Sequence, residues 1–208
     1  MWDSQNKKFK LKGILVRVTI LNRKGGVGKS TVAILLGAAL DSAGFEIAFD
    51  DRDPQGTVSY WAQEIGGVPM LEDGGNPRVT IVDTPGRLDL HNKRDLATVR
   101  ELIATSDRLV VVTEKSPFSV RASEPMVELV KEHQSNGASA WLLFNKVRAN
   151  TRIGRQEDRE LVGHLGIAAL KNSLPLAAPF ENVQIDGYKA VTGKNRELVL
   201  KLALEIIS

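Results

Sequence analysis

The chain of 208 residues contains no cysteine. That absence excludes disulfides, iron–sulfur ligation, thiolate zinc and cysteine nucleophiles together, and it fits a reducing compartment. No apolar run approaches the ~18 residues that suggest a transmembrane helix. Lys7, Lys8, Lys10 and Lys12 are followed by no apolar signal-peptide core, so a soluble cytoplasmic protein without a membrane partner is expected. Neither sign of charge dominates: 28 lysines and arginines against 25 aspartates and glutamates leave +3. So slight an excess does not announce a nucleic-acid partner, and a local patch would have to carry one.

What is present, 42% hydrophobic and 25% charged residues, is the composition of an ordinary globular chain. The length suits one α/β domain with a full core. Residues 1–13 read as a basic N-terminal tail or frayed edge strand, and 14–208 as a single domain. From residue 14 the pattern alternates regularly. Strands are expected at 14–21, 46–50, 79–82, 109–113 and 140–144. Helices are expected at 30–43, 57–64, 94–105, 123–134, 154–165 and 196–207, with Gly44 capping the first and Pro125 tolerated in the first turn of the fourth. Helices between strands imply βαβ units, and continuous apolar strands imply a sheet covered on both faces. The expected fold is a doubly wound, mainly parallel α/β sheet flanked by helices.

The strongest chemical signal is Lys24-Gly25-Gly26-Val27-Gly28-Lys29-Ser30-Thr31, set between the first strand and first helix. Glycines let backbone N–H groups converge on phosphate oxygens, and the helix offers its N-terminal dipole to the same anion. Lys29 can neutralise β- and γ-phosphates, and the Ser30 hydroxyl is placed to ligate Mg²⁺. Lys24 is a second cation at the mouth of the loop. It could serve a facing subunit's site and stabilise charge on a transferring phosphoryl group, as an arginine finger does. Asp53 and Asp83 each stand at a strand's C-terminal end, where open α/β sheets bind ligands. Either carboxylate could hold a water on Mg²⁺, and Asp53 could orient the attacking water.

The string Lys24–Ser30 resembles the deviant Walker A motif of the ParA/MinD ATPases. Asp51-Arg52-Asp53-Pro54-Gln55-Gly56 resembles the Asp-x-Asp-Pro-Gln motif of that family, and residues 79–86 are similar to its Walker B strand. The resemblance implies ATP and Mg²⁺ as cofactors, an ATP-bound homodimer in which Lys24 acts across the interface, and Asp53 as the hydrolytic carboxylate assisted by Asp51. It further implies non-specific DNA binding that places the ATP-bound protein on the nucleoid, a ParB-like stimulating partner, and movement of a plasmid, chromosome region or protein cargo. Asp50 departs from the pattern by placing an acid where that family has an apolar strand residue.

The alternatives are other hydrolases on the same scaffold. A targeting GTPase would place Asn-Lys-x-Asp after the fifth strand. Here Asn145-Lys146-Val147-Arg148 substitutes a pure donor for the guanine-accepting carboxylate, which favours ATP. A metabolic ligase or kinase would want longer polar loops, and a tyrosine kinase a tyrosine cluster, whereas Tyr60 and Tyr188 are the only tyrosines. Asn145 either touches the base or closes a turn. The segment 179–184, with Pro179 and Glu181, either resembles the adenine-binding segment of the family or is an ordinary Pro-bearing loop. Ser116-Pro117 resembles a pair near the dimer interface of the family.

Arg152, Arg155 and Arg159 have i+3 and i+4 spacing, so one helix face would bring them together for phosphate contacts. Glu157, Asp158 and Glu160 interleave, which a solvated, salt-bridged helix would also show. Lys189 and Lys194 mark a second candidate DNA surface. No aromatic interleaving points to base stacking, so binding would be sequence-independent and salt-sensitive.

Overall fold

The computed structural model describes residues 15–208, so the expectations for residues 1–14 lie outside it. Six strands form one sheet: β1 (Val16–Leu21), β2 (Ile47–Asp51), β3 (Val79–Asp83), β4 (Arg108–Glu114), β5 (Ser139–Asn145) and β6 (Ala168–Ala169). Their order is β2-β3-β1-β4-β5-β6, and every pairing is parallel. The helices are α1 (Lys29–Ser42), α2 (Thr57–Trp61), α3 (Lys93–Ala104), α4 (Pro117–His133), α5 (Arg152–Arg155), α6 (Asp158–Val162), α7 (Ala178–Asp186) and α8 (Gly193–Ile207).

The pleat of β4 explains why the sheet is covered on both faces. Val110 and Val112 enter a core shared with α1, α7 and α8, while Leu109 and Val111 enter a second core with α3 and α4. From β1 the chain goes out to β2, returns to β3, then crosses to β4 on the other side of β1. That reversal opens a crevice at the C-terminal end of β1, where doubly wound sheets bind ligands.

Four local expectations differ from the structure. Helix α4 begins at Pro117, because Ser116 caps it by accepting from the Ser119 N–H and Pro117 is preorganised for the first turn. Pro125 therefore sits inside the helix, not in its first turn. The helix expected over 154–165 is broken into α5, α6 and a 3₁₀ turn over Gly163–Leu165, because Gln156 and Glu157 are extended. Gly154 is drawn so close to the Arg148 carbonyl that a Cβ would collide with it. Arg152 and Arg155 thus lie on α5 and Arg159 on α6, without a common helix face. Residues 179–184 are helical, with Pro179 in the first turn of α7, rather than a loop. The edge strand β6 is only two residues long and carries no alternating pattern to read.

Candidate functional site

The loop between β1 and α1 is built for close backbone approach. Gly26 (φ 78°) and Gly28 (φ 91°) occupy the left-handed region that other L-residues avoid. Gly28 is also the N-cap of α1 and supplies no side-chain acceptor, so the first N–H groups of the helix lack a side-chain cap. Val27, almost fully buried, anchors the loop in the core. The Asn145 amide donates to the Val27 carbonyl at 2.9 Å and leaves no room for a Cβ on Gly28. Lys146 reaches the same loop, donating from Nζ to the Gly26 carbonyl at 2.7 Å. Among the described residues it is the only non-glycine with positive φ.

Lys29 is buried and donates from Nζ to the Gly86 carbonyl at 3.0 Å. Burial lowers its pKa below the usual lysine range, against the opposing pull of Asp83 and Asp53. Asp83 has zero exposure, and neither carboxylate oxygen has a hydrogen-bond partner. Burial pushes its pKa up to about 7. The Ser30 hydroxyl lies close enough to draw it down, Asp51 pushes it up, and Lys29 offsets part of that. An unpaired buried carboxylate is costly. A hard divalent cation between Asp83 and Ser30 would relieve that cost, so these residues fit Mg²⁺. Among the described residues no three acidic or histidine side chains cluster as a metal cage. Mg²⁺ here would take its other ligands from phosphate and water, as it usually does.

Asp53 is also buried, and its Oδ1 accepts the Gln55 N–H at 3.0 Å. The other oxygen, Oδ2, faces Gly86. Asp51 turns away from the cleft: it accepts from the Asp53 N–H at 3.0 Å and from Ser59 N–H and hydroxyl at 2.8 and 3.1 Å. Its work is to hold the Asp53 loop against α2. Asp50 is buried and paired, accepting from Arg52 Nε and Arg17, both at 2.6 Å. Burial alone would raise its pKa, but the hydrogen bonds from Arg52 and Arg17 outweigh it and hold the carboxyl below the usual range.

A cleft of about 590 Å³ joins these groups. Gly26, Gly28, Lys29, Ser30 and Thr31 form its floor, Asp53 and Gln55 one wall, and Phe180, Glu181 and Gln184 of α7 the other. Asn145 lines it too. Pro179, Gly25, Val27 and Asp83 are not on its surface, and Gly25 packs against Arg87 and Gly86. Arg148 lines a neighbouring hollow with Lys115 and Thr151. Lys24 points elsewhere: its Nζ donates to the Ser119 hydroxyl at 3.1 Å and lies 3.9 Å from Glu114.

The DNA candidates do not converge. Arg152, Arg155 and Arg159 are exposed beyond the C-terminal end of β5, and Arg159 is ion-paired to Glu157 at 2.7 Å. Lys189 and Lys194, also exposed, flank the start of α8, where Arg196 hydrogen-bonds Ser42 at the C-terminal end of α1. That is the end of α1 remote from the P-loop.

Sequence reading compared Lys146 with the Asn-Lys-x-Asp motif but did not foresee its contact with the Gly26 carbonyl, and it missed the polar web behind the loop, where Asn22 donates to the Val112 carbonyl and to Ser123. Both contacts join residues distant in sequence.

The CbiA family, described as the CobQ/CobB/MinD/ParA nucleotide binding domain, matches residues 18–183. The maintenance of carboxysome distribution protein A of Gloeobacter kilaueensis is 29% identical over 198 residues, covering 86% of this chain and 86% of that protein. The chromosome-partitioning ATPase Soj of Treponema pallidum is 22% identical over 246 residues, covering 92% and 96%. Among solved structures, the septum site-determining protein MinD of Pyrococcus horikoshii, complexed with Mg-ADP, superposes with a TM-score of 0.68 at 15% identity, covering 93% of this chain and 96% of that one. The family match takes in most of β1, the glycine loop, both aspartate-bearing strand ends and most of α7, and the chain therefore belongs to the CobQ/CobB/MinD/ParA nucleotide-binding family of P-loop ATPases.

Proposed function

We propose that this protein is a Mg²⁺-dependent ATPase that dimerises around ATP, binds DNA without sequence preference, and positions a cargo, its hydrolysis stimulated by a partner protein. The observation that carries this reading is the divergence of the two loop lysines. Lys29 is buried beneath the cleft of its own chain, whereas Lys24 is turned out of it toward α4 and remains partly exposed. A cation at the mouth of the loop that does not serve its own site is available to a facing one. The names of two relatives, carboxysome distribution and chromosome partitioning, support positioning as the use of that cycle.

Within the site, the loop N–H groups and Lys29 hold the phosphates. Ser30 and Asp83 would hold Mg²⁺, which when bound would supply neutralisation of the phosphate charge. Asp53, held by the Gln55 N–H through one oxygen, has the other left to orient a water molecule. Its partner-stimulated rate would be limited by how well that water and Lys24 are brought to the γ-phosphate.

A membrane-spanning role has no support. No helix among the described residues is long and apolar enough to cross a membrane, and α8 buries Val199, Leu202, Ala203, Ile206 and Ile207 against the fold.

The test is ATP turnover with and without plasmid DNA, for the wild type and for Lys24→Ala and Asp53→Ala. DNA- or partner-sensitive turnover lost in both variants supports the mechanism. Turnover indifferent to both substitutions would sink it, and a preference for GTP would revive the targeting-GTPase alternative.

A further inference from the structure

Trp61, at the end of α2, is 2% exposed, and its ring meets Phe49 edge-on with centroids 6.3 Å apart. The chain then makes one wide π-helical turn over Ala62–Gly66. Gly66 lies so close to the indole that a Cβ would collide with the ring. The indole N–H donates to the Val183 carbonyl at 2.7 Å, a bond between residues 122 positions apart. That carbonyl also accepts the Gly187 N–H at 3.1 Å, so Trp61 adds a second donor there and pins the last turn of α7.

This bond ties together the two walls of the nucleotide cleft. On one side, Asp53 and Gln55 lead directly into α2: the Gly56 N–H donates to the Asp53 carbonyl at 2.9 Å, and Ser59 is held by Asp51. On the other, α7 presents Phe180, Glu181 and Gln184. Both ends of the tether are buried and closely packed. Trp61 is locked between Phe49 and Gly66, and Val183 has zero exposure.

We propose that Trp61 is a positioning residue that fixes the spacing of these walls, so that the cleft favours a nucleoside triphosphate over a diphosphate. The inference rests on the reading of the cleft as an ATP site. A triphosphate held at Lys29 and Ser30, with its base toward α7, extends a γ-phosphate toward Asp53 and so engages both walls. A diphosphate ends short of Asp53 and engages only the loop and α7. A spacing set in advance lowers the ordering cost of a ligand that bridges the walls and does nothing for one that does not. Releasing the tether therefore weakens one nucleotide and spares the other.

The experiment measures equilibrium binding of a non-hydrolysable ATP analogue and of ADP, each with Mg²⁺, to the full chain. Two variants are compared with the wild type: Trp61→Phe, and replacement of Trp61 by β-(3-benzothienyl)alanine, which keeps the bicyclic shape but has no N–H. Loss of this one hydrogen bond is expected to weaken the triphosphate analogue about fivefold. ADP should stay within about twofold of the wild type, so that the preference shrinks. Equal weakening of both nucleotides would make Trp61 merely structural and overturn the proposal, as would an unchanged preference or a wild type with no preference to lose. If Trp61→Phe fails to fold, the shape-preserving variant decides. A wild type that binds neither nucleotide overturns the ATP-site reading and this inference with it. A wild type that prefers the triphosphate, with variants that keep that preference, overturns this inference alone.

Discussion

Lys24 and Lys29 leave one loop toward opposite sides of β1. The Nζ of Lys29 donates to the Gly86 carbonyl at 3.0 Å, just beyond β3, and the Nζ of Lys24 donates to the Ser119 hydroxyl at 3.1 Å, in the first turn of α4 just beyond β4. Close neighbours in sequence, they serve different surfaces. The division follows from the position of β1 between β3 and β4.

Lys24→Ala is accordingly expected to leave ATP binding within about threefold of the wild type, since Lys24 is absent from the cleft surface. Stimulated hydrolysis should fall by about 10³-fold, the lower end for a cation supplied to phosphoryl transfer. Equilibrium ATP binding and steady-state phosphate release separate the two effects. Loss of binding equal to loss of turnover would place Lys24 in its own site instead.

Asp83 sets a pH dependence of known sign. Its folded pKa, raised to about 7, lies above that of an unfolded aspartate, so between the two values the folded state holds more protons. The contribution of Asp83 to stability is therefore full at low pH and is lost as pH rises through about 7. Relative to Asp83→Asn, the nucleotide-free wild type should lose Tm between about pH 4 and 7, by about 2–4 °C per kcal/mol. Mg²⁺ with ATP should restore the loss in the wild type and not in the variant. Thermal melts across pH check both points.

Asp50→Asn should destabilise the fold by about 3 kcal/mol, because it leaves the mostly buried Arg17 and the half-exposed Arg52 without their anion. The sign here is opposite to that of Asp83. The lowered pKa of Asp50 means that its contribution is present above the ordinary aspartate range and is lost as pH falls through the depressed value. Urea denaturation of wild type and variant at neutral pH and in acid should show the difference narrowing in acid.

Gly28→Ala should abolish measurable ATP binding while the chain still folds. The added methyl would strike the Asn145 amide and would have to adopt a φ of 91°. Adding Asn145→Ala removes the collision but not the backbone strain of about 1–2 kcal/mol, so binding should return only in part. Titration with a fluorescent ATP analogue distinguishes full, partial and absent recovery.

If DNA lies across α5, Arg152→Glu with Arg155→Glu should lower the slope of log K against log salt by about 0.9 for each phosphate that is no longer neutralised. Arg159→Glu should change it less, because Arg159 is already engaged by Glu157 at 2.7 Å. DNA binding by the ATP-loaded protein over a salt series provides the measurement. An unchanged slope in the double variant would move attention to Lys189 and Lys194.

Much of this protein was legible in the residue order because its determinants are local. Three motifs, each at the C-terminal end of an apolar strand, give the P-loop, Asp53 and Asp83, and alternating strand and helix patterns give the parallel sheet. Where the side-chain pattern and the structure part, the cause is backbone geometry that the pattern does not reveal. The arginine spacing over 152–159 reads as one helix, yet the approach of Gly154 to the Arg148 carbonyl and the extended Gln156 and Glu157 split it. The adenine-edge candidates divide in the same way: Glu181 lines the cleft and Pro179 does not, because α7 is a helix that presents only some of its residues to one side. The amino-acid order by itself determined which groups could meet a phosphate and a metal, since glycine backbone freedom and carboxylate chemistry travel with the residue. Only the tertiary structure decided that Asp83 is unpaired, that Asp51 braces the loop, that Lys24 turns outward and that Trp61 joins the cleft walls, because burial and hydrogen bonding depend on what packs against a residue from distant parts of the chain.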